Sequence, residues 1–535
     1  MPKIRIKEID TTGRVSSTET PNVVYIPGPA AAKTDPELFT NAVEFKNAIT
    51  AGKFIEGSLS EKMAYHLLTL GMHVLFQGFE SEGKTVTIAN NKFTINDIEY
   101  KYTVDGSKIT WAEDNSAIIG DLGNAVLADN LMVVIEGTSV KYPVAIGKIV
   151  CKIDSNSKFT LDDVEYTIAN NAVTSAGDNA NIVDGKAMLH PIANKEYSAT
   201  FDFVNKEVSC NYIYGLGDTI AIQRSDWMKL TDKNLYNVRF LTTGQFFMGA
   251  NCGADMIECA ATRCDAVALI DIATDNNNVD EYRSAIESVI ASASALSIAS
   301  TKDPATFAAA FAPTWTGNIN TDDGVEKIDN LPASFGYLCA FARSVKENPM
   351  WYAVAGSFRG IIPELVAVAK EYNSSDIEIL QARSKNAEVA LDEAGDNVGI
   401  AINPIAYRRP FGHLIWGNRT LRKNEADDAG VGITKATSFL NCRILSTEVA
   451  KVAFNAANKY TFEQNSEILW TNFTSYILPT LDRMSTGNGI LDYKISRIPT
   501  TKKARLCAKI SLIPIEAVED FDITIELTDE ISVTE

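Results

Sequence analysis

Apolar and polar residues alternate at both ends of the chain. Apolar Ile4 and Ile6 alternate with basic residues over 3–7, and the other end alternates through Phe521, Ile523, Ile525 and Leu527. Alternation with a period of two is typical of a half-buried β-strand. Residues 11–18 are small and polar, which predicts a flexible tether after the first strand. A short tethered strand is not stable alone, so we expect the segments 3–10 and 520–528 to add to a sheet, in this molecule or in a neighbour.

Between these ends, buried-strand runs alternate with helical periodicity, a pattern that indicates an α/β layer. Ser58 and Glu61 form a candidate capping box for a helix that runs to Leu70, with Gly71 just past its end. Pro514 separates the last two predicted strands, where no ladder donor is needed. We predict strands at 22–28, 73–77, 266–272, 491–495 and 505–513, and helices at 41–49, 58–70, 279–293, 335–346, 436–459 and 466–484.

The pattern of apolar and polar residues changes between residues 78 and 204, where helical periodicity disappears. Short strands alternate with Asn, Asp and Gly turns, and we predict them at 85–88, 93–102, 131–136 and 149–153. The sequence KFTINDIEY at 92–100 recurs as KFTLDDVEY at 158–166. Two copies indicate a duplicated module and are too few for a solenoid. The predicted fold is therefore an α/β (α+β) core, built from the N- and C-terminal parts, with an inserted all-β domain that contains the duplicated module.

A chain of 535 residues exceeds one compact core, so we expect two to four domains. The composition shifts give the boundaries. We predict an N-terminal strand with its linker arm at 1–20, the first part of the core at 21–77, the β-rich outer insertion at 78–204, a middle α/β domain at 205–330, a C-terminal core at 331–518 and a C-terminal strand arm at 519–535.

The net charge of −19 argues against a general nucleic-acid binder, which needs a cationic surface to displace counterions. It favours solubility of the free subunit. No apolar stretch is long enough to cross a bilayer, so we predict no membrane insertion. The N-terminus has no apolar h-region, which predicts synthesis in a cytoplasm without general secretion.

The sequence predicts no metal site and no cofactor. Its eight cysteines are scattered without a CxxC pair, and its four histidines are not close in sequence to a cysteine pair. Buried thiols in a reducing compartment are the expected state. Asp271, Asp275, Asn277 and Asp280 resemble a calcium loop but lack its central Gly and terminal Glu, so we interpret them as a solvated turn.

Residues 78–85, GFESEGKT, match the P-loop pattern, and a predicted strand precedes them. A P-loop also needs a helix after it, because the amides at the helix N-terminus hold the phosphates. Here the strand-like sequence TVTI follows, and Glu80 and Glu82 would repel a polyphosphate. We interpret the segment as a hairpin or a domain boundary.

Catalytic constellations are sparse, since the few histidines leave few general bases and no Gly-x-Ser-x-Gly elbow occurs. We therefore predict no enzyme and no catalytic residues. Basic residues concentrate in the last third of the acidic chain: Arg408, Arg409, Arg419, Arg422, Lys423, Lys502, Lys503 and Arg505. They are either solvated surface or a face for electrostatic docking onto an acidic partner.

Several of these segments also resemble, in order, the tail sheath proteins of contractile phages and related contractile injection machines. Residues 415–421, IWGNRTL, are similar to the Trp-Gly-x-Arg-Thr-Leu signature of that family. The opening run 23–28, the segments 335–343 and 348–356, the helix through 439–444, residues 462–465 and the last strands follow the family's order. The resemblance covers about residues 1–75 and 330–535.

The resemblance implies a structural polymer: hexameric rings stacked helically around an inner tail tube, whose contraction drives the tube through a host envelope. It implies that the terminal strands complete sheets in neighbouring subunits, and that the partners are the tube, baseplate and tail terminator proteins. It implies a place in the virion after assembly in the bacterial cytoplasm. We take Lys502, Lys503 and Arg505 as candidates for tube contact.

Three alternatives stay open at this point. Minimal sheaths lack an extra outer domain, so residues 78–204 favour a phage over the sheath of a bacteriocin or injection system. An α/β NTPase using Gly83, Lys84 and Thr85 would require a helix after Thr85. An adhesin, suggested by the β-repeat, would require an export signal.

Overall fold

The fold was analysed in a computed structural model of the chain. The structure describes residues 21–30, 33–51, 53–54, 57–80, 84–88, 92–95, 98–105, 108–111, 119–120, 125–126, 132–136, 139–142, 145–161, 164–175, 179–182, 185–192, 195–214, 222–246, 250–272, 278–296, 298, 303–381, 400–422, 425–426, 432–433 and 436–518.

Helices and strands of the described residues are numbered in chain order. The helices are α1 (Ala42–Thr50), α2 (Leu59–Thr69), α3 (Arg224–Lys229), α4 (Ala250–Arg263), α5 (Val279–Ser294), α6 (Ala333–Glu347), α7 (Gly356–Arg359), α8 (Ser374–Leu380), α9 (Leu440–Tyr460) and α10 (Glu467–Thr486). The first strands are β1 (Val23–Ala30), β2 (Glu37–Phe39), β3 (His73–Glu80), β4 (Lys84–Thr87), β5 (Lys92–Ile95), β6 (Ile98–Asp105), β7 (Lys108–Trp111), β8 (Ile119–Gly120), β9 (Ala125–Val126), β10 (Met132–Glu136) and β11 (Ser139–Tyr142). The next are β12 (Ala145–Lys152), β13 (Lys158–Leu161), β14 (Val164–Ala169), β15 (Ala172–Thr174), β16 (Asn179–Asn181), β17 (Lys186–Ile192), β18 (Lys195–Asp202), β19 (Glu207–Tyr214), β20 (Phe240–Leu241) and β21 (Val267–Ile270). The last are β22 (Ala308–Ala312), β23 (Trp315–Thr321), β24 (Gly324–Leu331), β25 (Leu365–Val368), β26 (Ile402–Arg408), β27 (Gly412–Ile415), β28 (Glu425–Ala426), β29 (Gly432–Ile433), β30 (Ile490–Ile498) and β31 (Cys507–Pro514).

An eight-stranded sheet with the order β2-β3-β1-β20-β21-β22-β26-β27 organises the mixed α/β fold. Its central strands are parallel, and only the outermost strands β2 and β27 pair antiparallel. Parallel strands are normally covered on both faces, and every residue of β1 is buried. Val24 and Ile26 face one apolar core, whereas Val23 and Tyr25 face the other. Helices α1, α2, α6, α9 and α10 contribute to the first core, and α3, α4, α5 and α8 contribute to the second.

The predicted N-cap of α2 and the glycine past its end are both present. The Ser58 side chain accepts the Glu61 amide at 3.2 Å, which is one of the two bonds of the predicted capping box, and the Glu61 carboxylate accepts the Gly57 amide at 3.2 Å. Gly71 has a φ of +88°. The amides of Gly71 and Met72 bond back into the last turn of the helix, which is the Schellman arrangement that favours glycine at this position.

The described elements between residues 84 and 214 are strands. In the first copy of the repeat, β5 pairs with β6 so that Phe93 lies opposite Tyr100. In the second copy, β13 pairs with β14 so that Phe159 lies opposite Tyr166. The two copies therefore fold as hairpins in the same register. The prediction of one strand over 93–102 is wrong, because the chain reverses between β5 and β6.

Candidate assembly surface

Strands β30 and β31 form a two-stranded ribbon near the end of the chain. Its residues alternate between two faces. The inner face packs against the first core through Tyr493, Ile495, Ala508, Ile510 and Leu512. The outer face carries the exposed residues Asp492, Lys494, Lys509, Ser511 and Ile513. This alternation gives a sheet that is apolar towards the helices and polar towards solvent.

Both outer edges of the ribbon lack a partner strand among the described residues. An unpaired edge exposes a row of backbone N–H and C=O groups that can take up another strand. An added strand in which apolar and polar residues alternate would place its apolar side chains on the inner face and so extend that face. The ribbon can therefore accept a strand on either side.

The base of the ribbon is fixed by close contact with Trp351. Its indole N–H donates to the carbonyl oxygen of Gly487 at 2.9 Å. A Cβ at Gly489 would lie 2.7 Å from the same ring, so only glycine lets the chain pass this closely. The amide of Ile515 then donates to Gly489 at 3.0 Å, and the chain leaves the ribbon at this end.

The signature segment 415–421 anchors the start of α9. The backbone N-cap of this helix, Phe439, provides no side-chain hydrogen bond. Asn418 takes that place, because its Oδ1 accepts the Asn441 amide at 3.2 Å and its Nδ2 donates to Asn441 Oδ1 at 2.7 Å. The first of these bonds satisfies one of the backbone amides that the first turn of a helix leaves unpaired.

The rest of the signature holds this anchor against the large sheet. The Arg419 guanidinium lies 4.4 Å from the centre of the Phe439 ring, and its amide donates to Asn403 Oδ1 on β26. A Cβ at Gly417 would lie 2.7 Å from the same Asn403 oxygen. The Leu421 amide donates to the carbonyl of Ala308 on β22. The signature thus performs a structural role: it couples the sheet to α9, which packs against α10 and shares the first core with the ribbon.

Buried charges hold the middle of α9 against the N-terminal ends of β20 and β21. Arg239 pairs with Glu448 at 2.5 Å. Lys451 donates to Asn237 Oδ1 at 2.6 Å and to the Val238 carbonyl at 2.7 Å. Burial lowers the pKa of Lys451 to about 7. Sequence reasoning missed this cluster, since its charged partners are far apart in the chain.

The three candidate tube-contact residues lie together at the tip of the ribbon. Lys502, Lys503 and Arg505 are all exposed in the connection between β30 and β31. Other basic residues have structural partners. Arg408 stacks over Trp416 at 4.6 Å, and Arg422 donates to Thr437 at 2.7 Å.

The predicted inter-subunit strand residues lie outside the described residues. They are Ile4, Ile6, Phe521, Ile523, Ile525 and Leu527. Their role stays a prediction.

The P-loop-like segment lacks the helix that a phosphate site needs. Gly78 belongs to β3, residues 81–83 lie outside the described part, and Lys84 begins strand β4. Strand β4 pairs antiparallel with β11. As predicted, a strand follows the P-loop-like segment, at the position where a P-loop has a helix N-terminus.

His66, Cys339 and Glu364 form a buried group with the residue types of a metal site. The ligand atoms of His66 and Glu364 are already engaged. His66 Nδ1 accepts the Asn320 amide at 2.9 Å, which places its proton on Nε2, and this nitrogen donates to Glu364 at 2.9 Å. Arg343 binds both oxygens of Glu364. Burial opposes ionisation of Glu364, but these hydrogen bonds outweigh it and hold its pKa at about 2. The group works as a buried ion-pair network.

Asp271 corrects the prediction of a solvated turn. It is buried, and its carboxylate accepts the amide of Ser334 at 2.9 Å and also the Ser334 hydroxyl. It caps helix α6, whose N-cap Pro332 has no capping side chain. Burial raises the pKa of Asp271 to about 6, against the effect of these bonds.

Several solved structures to which the chain is similar are sheath proteins. The sheath tail protein of Desulfitobacterium hafniense matches at 9% identity with a TM-score of 0.44, covering 96% of this chain and 100% of that chain. The sheath tail protein of Listeria innocua matches at 9% identity with a TM-score of 0.40, covering 93% and 96%. The PVC sheath complex of an extracellular contractile injection system, in its contracted state, matches at 16% identity with a TM-score of 0.39, covering 58% and 75%. No family model matches the sequence, and no curated protein is similar to it.

These three solved structures are sheath proteins, the class that the signature segment resembles in sequence. Within the described part of the chain, no helix combines the length and the apolarity needed to span a bilayer.

Proposed function

We propose that this chain is the structural subunit of a contractile tail sheath. Subunits assemble as stacked hexameric rings around an inner tube, and contraction drives the tube through the host envelope. The observation that carries this proposal is the β30–β31 ribbon, which is apolar on one face and without a partner strand on either edge among the described residues.

The two ends of the chain supply strands that suit such a ribbon. The segments 3–10 and 520–528 alternate in the same way as β30 and β31, so their apolar residues extend the inner face when they add at the edges. Each added strand contributes about 0.5–1.5 kcal/mol net per hydrogen bond. Several bonds at each end hold neighbouring subunits together while the tethers permit rotation.

Contraction in this proposal is a rigid-body rotation of subunits between two packed arrangements. Head-to-tail contacts that repeat without closing generate helical assemblies, which accounts for the stacking. The absence of a P-loop helix at residues 84–87 disfavours the NTPase alternative. The driving free energy then comes from interfaces between subunits that improve on contraction.

We assign the sheath to a phage tail, with tube, baseplate and terminator proteins as partners and assembly in the bacterial cytoplasm. The division at 1–20, 21–77, 78–204, 205–330, 331–518 and 519–535 forms part of this proposal. The segment 78–204 is an inserted outer domain built on a duplicated module, which the matching registers of the hairpins β5–β6 and β13–β14 support. The sheath of a bacteriocin or injection system is the second candidate, and the similarity to the PVC sheath complex favours it.

Deletion of residues 1–15 tests the proposal. The truncated chain should stay folded by circular dichroism but form no striated tubes in negative-stain electron microscopy. A matched control replaces residues 11–18 by glycine and serine of equal length. This control keeps both the strand and a flexible tether, so it should assemble. Normal tubes from the truncated chain would refute the proposal.

A further inference from the structure

A lysine, an asparagine and an aspartate meet where α9 packs against the residues that precede β20. Lys451 Nζ donates to Asn237 Oδ1 at 2.6 Å and to the Val238 carbonyl oxygen at 2.7 Å. Asp265 Oδ2 lies 3.6 Å from the same nitrogen. The lysine and the asparagine are 214 positions apart in sequence. An amine held against a carboxamide, with a carboxylate beside it, has the groups that amide formation between two side chains requires.

The amine is the nucleophile of such a reaction, and its surroundings favour the neutral form that reacts. Burial is the largest of the effects that lower the pKa of Lys451 to about 7. The guanidinium groups of Arg239 and Arg263 act in the same direction. The carboxylates of Asp265 and Glu448 act against it. Loss of one proton leaves the amine two N–H groups and a lone pair, so at slightly alkaline pH this side chain is nucleophilic.

Asp265 is placed to move the proton. It is buried, and Arg263 Nη2 donates to its Oδ2 at 3.2 Å, which fixes the carboxylate beside the amine. A carboxylate at this position can take a proton from the attacking nitrogen and pass it to the leaving group. Asn237 is exposed, so ammonia released there can reach solvent. Nucleophile, electrophile and base therefore lie in one site.

We propose that Lys451 and Asn237 form an intramolecular isopeptide bond. The Lys451 amine attacks Cγ of Asn237, and Asp265 takes the proton that the nitrogen gives up. Asp265 then passes this proton to the carboxamide nitrogen as its bond to Cγ breaks. The products are one secondary amide and one ammonia, so nothing is oxidised or reduced. The bond from Lys451 to the Val238 carbonyl holds the amine beside Asn237 during the attack.

The isopeptide bond ties two distant parts of the chain together. Asn237 lies just before β20, which pairs with β1, whereas Lys451 lies in α9, which packs against α10. In a sheath, tension between the two ends of the subunit then passes through a covalent link as well as through buried hydrogen bonds. The link also restricts the unfolded chain, because it closes a long loop. The chemistry of the site goes beyond the sheath role and does not depend on it.

The test is the mass of the full-length chain, freshly purified and after incubation at about pH 9. The linked fraction should rise on incubation and lose about 17 Da, the mass of ammonia. A protease digest should then contain two peptides joined through Lys451 and Asn237. This second measurement is needed because a cyclic imide at an asparagine loses the same mass. A chain that is folded by circular dichroism and keeps its full mass overturns the inference.

Two variants identify the bond. Lys451→Arg keeps a cation that can donate to Asn237 but lacks the amine, and Asn237→Ala removes the carboxamide at an exposed position. Neither should yield the joined peptides. The matched control is Asn234→Ala, which removes another exposed asparagine side chain that contacts α9, through Asn458 at 3.0 Å, and should link as wild type. A mass loss that Lys451→Arg and Asn237→Ala both retain in full overturns the inference.

A third variant tests the base. Asp265→Asn leaves the amine and the carboxamide in place and should slow linkage by about a hundredfold. The wild-type rate should rise with the neutral fraction of the amine up to about pH 7 and level off above it. A rate that Asp265→Asn leaves unchanged overturns the role of Asp265. All of these measurements use the free subunit, so their outcome is separate from whether the chain polymerises.

Discussion

Arg239 and Glu448 form an ion pair at 2.5 Å in which neither side chain is exposed. The two residues are 209 positions apart in sequence. The pair joins the residue that precedes β20 to the middle of α9, and so connects the large sheet to this helix. A buried pair of this kind is costly to break, because the remaining buried charge loses its directly bonded counter-charge.

We expect Arg239→Met to lower the free energy of unfolding by about 3–5 kcal/mol, since it leaves the Glu448 carboxylate buried without this cation. The double variant with Glu448→Met should recover most of the loss. Urea denaturation measures both. The matched control is Arg283→Met in the more exposed pair with Glu287, which should cost less than about 0.5 kcal/mol. Equal losses of unfolding free energy at the two sites would contradict the prediction that the buried pair contributes more than the exposed pair.

Lys451 should make stability depend on pH in the alkaline range. Its pKa is about 7 in the folded chain because burial disfavours the charged form, against an ordinary value of 10.5. Between pH 7 and 10.5 the unfolded chain binds the extra proton, so stability rises with pH by at most about 1.4 kcal/mol per unit. Lys451→Met should remove this slope in denaturation curves at pH 7, 8 and 9. Lys327→Met, at an exposed position, should leave the slope unchanged.

Asp271 should make stability depend on pH in the acid range. Its pKa is about 6 in the folded chain, raised by burial from 3.8. Between those values the folded chain binds the extra proton, so this group makes stability fall as pH rises from about 4 to 6. Asp271→Asn keeps an acceptor for the Ser334 amide and should flatten that part of the profile. Asp323→Asn, in an exposed turn, is the control; a profile that both variants alter alike would argue against Asp271 as the source.

Glu364 should be essential to the network with His66 and Arg343. Glu364→Gln removes the charge that pairs with Arg343, and we expect a loss of about 2–4 kcal/mol in unfolding free energy. Added zinc should not raise the melting temperature of the wild type, because the His66 and Glu364 atoms are already hydrogen-bonded. A zinc-dependent rise that Glu364→Gln abolishes would instead make this a metal site.

Local patterns predicted the long helices and the last strands well. Helices α9 and α10 begin within about four residues of their predicted starts, and β31 occupies most of its predicted span. Each has a long periodic pattern that tertiary contacts reinforce. The single strand predicted over 93–102 was wrong, although Asn96 and Asp97 are residues that favour a turn. The run of β-forming residues on both sides hid the reversal.

What sequence could not supply were contacts between distant positions. Asp271 belongs to a polar cluster typical of a solvated turn, yet its partner Ser334 lies 63 residues away and holds it inside the protein. Phe462 comes shortly after the predicted helix at 436–459. Only its backbone angle and its exposure distinguish it from an aromatic residue of the core. The terminal arms stay predictions, since they lie outside the described residues.

The order of the large sheet has a consequence for how this chain can vary. In the large sheet, strand β1 lies between β3 and β20. The chain leaves this sheet after β3 and re-enters it at β20, on the other side of β1. Lengthening a connection costs little closure entropy, about 0.6 kcal/mol for each doubling. The intervening chain can therefore grow, shrink or be exchanged between relatives while the sheet and the C-terminal ribbon keep their geometry. This segment is therefore free to diversify without altering the order of the large sheet.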